Sequence, residues 1–137
     1  MYRCEHFRIE ELVPPELHEL IHEDTLWGMF EEDLLRGIDW MRERFGPATI
    51  NNWVWGGNFK QSGLRTKNST HYSETSTHSK GGGIDLKFRD YTSDQVRASM
   101  KEIHSPYIRR MENKVSWCHV DVKYKSGYED TVYFFNP

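Results

Sequence analysis

Along "EEDLLRGIDWMRERFG" the apolar residues Leu34, Ile38, Met41 and Phe45 recur at spacings of four, three and four, which places them on one face of a helix. Gly46-Pro47 supplies the stop. A second helix is predicted over "TSDQVRASMKEI", where Thr92 and Gln95 have the spacing of a capping box and Val96, Met100 and Ile103 share a face. Upstream, "FRIEELVPPELHELIHE" predicts two short helical pieces divided at Pro14-Pro15, since the residue ahead of a proline is pushed out of the helical region. Elsewhere the period shortens to two. "TINNWVW", from Thr49 to Trp55, is rich in β-branched and aromatic residues and stops at Gly56-Gly57, which predicts a strand. In "GIDLKF", Ile84, Leu86 and Phe88 point to one face while Asp85 and Lys87 point to the other. In "SWCHVDVKY", Trp117, His119 and Asp121 oppose Cys118, Val120 and Val122. Strands are predicted near 108–112, 116–124 and 130–135, with "KSGYED" as the turn between the last two.

This pattern gives a helical front half and a strand-rich back half, separated by a polar stretch over residues 56–81. A loop of that length inside a compact domain is usually functional or mobile. The length of 137 residues suits one domain spanning 1–137. Apolar residues make up 36% and charged residues 28%, a globular composition. The formal charge of −3 comes with interspersed signs and no basic stripe, so nucleic acid is not an expected partner. Two cysteines, Cys4 and Cys118, can build neither a disulfide framework nor a four-thiolate zinc site, which fits a reducing compartment. The opening "MYRCEHFRIEELVPPEL" lacks a basic start followed by an apolar run, and no eighteen apolar residues follow one another. No signal peptide and no membrane insertion are expected.

Asp85 is a lone carboxylate in an otherwise apolar strand. An isolated Asp on a strand is most often solvated on an open sheet face. A second strand offering His119 and Asp121 from its polar face changes that balance. With His78 just ahead of the first strand, the chain supplies two imidazoles and one carboxylate, a common set for a catalytic zinc that keeps its fourth position for water. Gly81, Gly82 and Gly83 are a floppy loop on one reading. On the other, they adopt positive φ and let the chain reverse so that His78 returns toward Asp85.

The segment from Ser76 to Asp85, "STHSKGGGID", followed by "WCHVD" from Trp117 to Asp121, resembles the "SxHxxGxAxD" and "WxHxD" pattern of the D-Ala-D-Ala metallopeptidases, with Gly83 in the alanine slot. The zinc fold of that family is shared with lysostaphin-like enzymes and the hedgehog signalling domain. "FRIEELVPPEL", "ERFGPATINNWVWGGNFKQSGLR", "MENKVSWCHVDV" and the closing "FFNP" extend the resemblance, over nearly the whole chain, to the small single-domain versions carried by bacteriophages and prophages. The resemblance implies an α+β fold with a central antiparallel sheet and helices on one side. It implies zinc held by His78, Asp85 and His119, and cleavage of peptide bonds in peptidoglycan stem peptides. A monomer is expected, located in the cytoplasm of the producing bacterial host or associated with a virion.

Hydrolysis of an amide also needs a base for the attacking water. Many relatives carry a glutamate three residues before the second histidine, where this chain has Ser116. The phage-like and hedgehog-like branches place it further upstream, which points to Glu112, seven before His119, with Glu74 in reserve. Arg65 of "SGLR" occupies the family's arginine position and is the expected oxyanion donor. Ser76 and Asp121 are expected to orient ligands or substrate, and His71 to contact substrate. The second reading the resemblance leaves is a module that keeps zinc and fold without efficient hydrolysis and serves in binding or in the virion, as the hedgehog domain does on this scaffold.

Overall fold

Pro15 stands at the first helical position, where a missing N–H costs nothing, and opens α1 (Pro15–Leu20) behind Pro14 as its cap. A 3-10 turn over Ile9–Glu11 precedes it, so the two helical pieces divided at the prolines are present. The computed structural model describes residues 1–137 and continues with α2 (Glu23–Gly28), α3 (Glu32–Phe45), β1 (Ala48–Thr49), β2 (Gly83–Phe88), α4 (Ser93–Glu102), β3 (Arg110–Glu112), β4 (Cys118–Asp121) and β5 (Tyr133–Phe135). α3 buries Leu34, Ile38, Met41 and Phe45 as its period requires, and Gly46 ends it at φ 87°. α4 carries the expected capping box: Gln95 N–H donates to Thr92 Oγ1 at 3.1 Å and Thr92 N–H donates to Gln95 Oε1 at 2.9 Å. α2 has too few turns to write a period into the sequence, and the pattern did not predict it.

The fold is α+β, with the sheet ordered β1-β2-β4-β3-β5. Its apolar face joins the helices in one core. Ile84, Leu86 and Phe88 of β2 are buried with Leu34, Ile38, Met41 and Phe45 of α3 and Val96 and Met100 of α4, and the Phe45 and Phe88 rings meet edge-on at 5.5 Å. No helix is long and apolar enough to cross a membrane.

The structure departs from the sequence pattern at the sheet, at its last connection and after β1. The sheet is mixed, because β5 runs parallel to β3 while the other pairs are antiparallel. β4 already has β2 on one edge and β3 on the other, so it has no free edge for a hairpin with β5. The chain after Asp121 therefore travels around to the outer edge of β3, where Tyr133 N–H donates to Arg109 O and Asn113 N–H to Phe135 O. "KSGYED" belongs to that traverse: it makes the expected turn, with Tyr128 N–H donating to Lys125 O at 3.2 Å, but the strands it joins do not pair as a hairpin. The strand expected from Thr49 to Trp55 is confined to Ala48–Thr49, and Trp53–Trp55 is a 3-10 turn closed by Gly56 at φ 86°. Side-chain bonding overrides β propensity there. Fully buried Asn51 donates from Nδ2 to Val13 O and accepts from Ser62 N–H, while Asn52 Oδ1 accepts from Phe59 N–H.

Candidate metal centre

The polar face of the sheet is organised by register. Asp85 on β2 lies opposite His119 on β4. On the other side of β4, Arg110 pairs with Asp121 and Met111 with Val120, so continuing the register brings Glu112 opposite His119. Glu112 in turn pairs with Phe135 on β5. Asp85, His119, Glu112 and Phe135 thus form one row across four strands, neighbours being about 4.8 Å apart along the hydrogen-bonding direction. The adjacent row on the same face is Gly83, Asp121, Arg110 and Tyr133.

His78 reaches this face from the end of the polar loop. Ser76 Oγ accepts from His78 N–H at 3.2 Å and starts a 3-10 turn over His78–Lys80. Gly81 ends the turn at φ 71°, and a Cβ there would lie 2.0 Å from Met29 O. Of the three glycines only Gly81 takes positive φ, which corrects the expectation for Gly82 and Gly83. Gly83 is needed for space: a Cβ would lie 2.2 Å from Thr77 Oγ1 and 3.2 Å from His119 Cε1.

Three donor atoms converge as a result. His119 Nδ1 is 3.0 Å from Asp85 Oδ1 and 3.2 Å from His78 Nε2, and His78 Nε2 is 3.2 Å from Asp85 Oδ1. The far nitrogen of each imidazole is held by an oxygen. His78 Nδ1 donates to Gly63 O at 3.0 Å, and His119 Nε2 donates to Asp121 Oδ2 at 2.8 Å. Each ring therefore turns its other nitrogen inward, which is the arrangement that orients histidine ligands on metals. His78, Asp85 and His119 form a cluster that could hold a metal ion.

The electrostatics follow from this packing. Burial pushes the Asp85 carboxyl up, but hydrogen bonds to His119 and His78 outweigh it and hold the group well below the ordinary carboxylate range. Burial alone would lower His119, yet its bonds to Asp121 and Asp85 raise its pKa to about 9. Asp121 is completely buried, and the His119 and Arg110 bonds overcome that burial to lower its pKa. A cation binding at His119 Nδ1 must displace the proton that the raised pKa keeps there. Metal affinity is expected to strengthen as pH rises toward 9, with net proton release at pH 7. Titration calorimetry in buffers of different ionisation enthalpy reads that release, and uptake without it would contradict a protonated His119 in the metal-free protein.

The cluster lies in a cleft of about 700 Å³ whose lining includes Arg65, His71, Ser76, Glu112, Trp117 and Phe135. Arg65 is anchored by Nε donating to Gln61 O at 2.8 Å, and its Nη2 reaches Asp85 Oδ2 at 3.4 Å. Burial lowers the Arg65 pKa, partly offset by the charges of Asp85 and Glu112. The fold thus gathers His78, Asp85, His119, Arg65, Glu112, Ser76 and His71 at one cleft, with Asp121 beneath it. Glu74, the reserve base, is exposed and outside the lining. Sequence reasoning missed Arg110 and Phe135. Their signal was the two-residue spacing that puts Arg110 with Glu112, and Tyr133 with Phe135, on a common strand face.

Comparison with family models, with curated proteins and with solved structures returned no match. The functional reading therefore stands on the geometry of the cleft and the motif pattern of the chain.

Proposed function

We propose that this chain is a zinc-dependent peptidase of the D-Ala-D-Ala metallopeptidase type, built on the hedgehog/DD-peptidase kind of zinc fold and acting on peptidoglycan stem peptides. A phage or prophage origin goes with that proposal. The observation that carries it is the convergence of two oriented imidazoles and one carboxylate at an open cleft, with Asp85 and His119 in one cross-strand row with a glutamate. Two nitrogens and one oxygen suit zinc, and tetrahedral zinc at its usual bond lengths sets donors about 3.3 Å apart, close to the 3.0–3.2 Å spacing of the three atoms. Three protein donors are the number catalytic zinc sites use, whereas structural sites close with a fourth.

His78, Asp85 and His119 would hold the ion, which when bound supplies Lewis-acid activation of water and of the scissile carbonyl. Glu112 takes the proton of the attacking water and returns it to the leaving amine. The Arg65 guanidinium donates to the oxygen that gains charge as the carbonyl is attacked. Trp117 and Phe135 wall the cleft and flank the bound peptide, and His71 and Ser76 offer it polar contacts from the loop side.

Purified peptidoglycan or its stem peptides are expected to be cut, with activity abolished by chelation and restored by zinc. Mass spectrometry of the digest names the bond. Arg65→Ala is expected to lower the rate by roughly 10²- to 10³-fold, the usual loss for an oxyanion donor, while zinc-replete protein keeps its metal. Absence of any cleaved stem peptide under zinc-replete conditions, in protein that still binds cell walls or virions, would replace this reading with that of a binding module.

A further inference from the structure

Arg110 closes a fork on Asp121. Its Nε donates to Oδ1 and its Nη2 to Oδ2, both at 2.8 Å. Oδ2 also accepts from His119 Nε2 at 2.8 Å, and Oδ1 accepts from the Lys123 backbone N–H at 3.1 Å. The guanidinium lies over the Phe135 ring, 4.3 Å from its centroid, and the same ring meets the His119 imidazole edge-on at 5.8 Å and 84°. Arg110, Asp121, His119 and Phe135 therefore form a closed circuit of contacts around one imidazole.

A single bond to His119 Nε2 fixes which nitrogen carries the proton, but leaves the ring free to swing with the carboxylate that holds it. Any swing of the Asp121 carboxylate, about either side-chain torsion, would break at least one arm of a fork that contacts both its oxygens. Phe135 in turn holds the guanidinium plane. We propose that Arg110 is a positioning residue of the metal centre, acting through Asp121 to fix the direction in which His119 presents Nδ1. The inference rests on His78, Asp85 and His119 holding a metal. Arg110 touches none of the three inward-facing donor atoms, so its influence on the metal passes through Asp121. Lysine does not substitute, because a single ammonium neither bonds both oxygens in plane nor stacks on Phe135 in the same way. The Arg110 side chain is 19% exposed, so shortening it leaves room for water beside the carboxylate.

The test compares zinc affinity by chelator competition in wild type, R110K, D121N and the double variant, with thermal unfolding of the metal-free proteins as a control for the fold. R110K is expected to bind zinc about 10- to 100-fold more weakly with its fold intact, as for other groups that orient metal-bound histidines. D121N is expected to lose at least as much, and the double variant no more than D121N, since Arg110 works through that carboxylate. Wild-type affinity in a folded R110K, or losses that add in the double variant, would overturn the inference. Cobalt substitution gives a reading that does not depend on D121N folding. R110K is expected to change the visible spectrum of the bound cobalt, and a wild-type spectrum would overturn the inference. Full metal content in His119→Ala would instead overturn the metal centre itself, which keeps the two failures distinguishable.

Discussion

Glu112→Gln is expected to slow stem-peptide cleavage by roughly 10²- to 10⁴-fold, the range that removal of a general base produces, while fold and metal content stay as in wild type. Gln keeps the shape of the side chain and loses only the capacity to take a proton. Glu112 is the unclaimed carboxylate of the row that contains Asp85 and His119, and it faces the cleft. Glu74→Gln is expected to change the rate little, because Glu74 is exposed on the loop and does not line the cleft. Steady-state kinetics on a purified stem peptide, with metal content measured on the same samples, separates the two. An active Glu112→Gln enzyme beside a dead Glu74→Gln enzyme would transfer the base to the loop.

Where one element dictates its own shape, the sequence was enough. The four-three-four spacing from Leu34 to Phe45 and the reciprocal caps of Thr92 and Gln95 are local, and both helices stand where those signals put them. The alternation in "GIDLKF" and "CHVD" likewise set Asp85 and His119 on the face away from the core, and a strand's side chains have nowhere else to go. What escaped was decided by partners distant in sequence. Trp53 to Trp55 has strand composition, yet Asn51 bonding to Val13 and Ser62 bends the backbone away from the sheet. β5 looks like the second arm of a hairpin, and only the saturation of β4 on both edges sends it to β3. The Arg110 fork depends on the register between β3 and β4, which no local pattern encodes. The glycine triplet was half legible. Gly81 needed its backbone freedom, whereas Gly83 gives room to Thr77 and His119, atoms brought there by the fold.

His119→Ala is expected to abolish metal binding, taking the protein from one zinc ion per chain to almost none. The substitution removes the donor at the centre of the converging triad, leaving His78 Nε2 and Asp85 Oδ1 as a pair. The variant is expected to fold, because the apolar face of β4, with Cys118 and Val120, is untouched and Asp121 keeps its Arg110 fork. Stabilisation of the wild type by added zinc, which follows from binding to the native state alone, is expected to vanish with it. The most direct measurement is metal analysis of purified wild type and His119→Ala after zinc loading and removal of free ion. One zinc per chain in the wild type and none in the variant is the predicted result; a metal-free wild type, or a variant that retains a full equivalent, would contradict the metal centre on which the account rests.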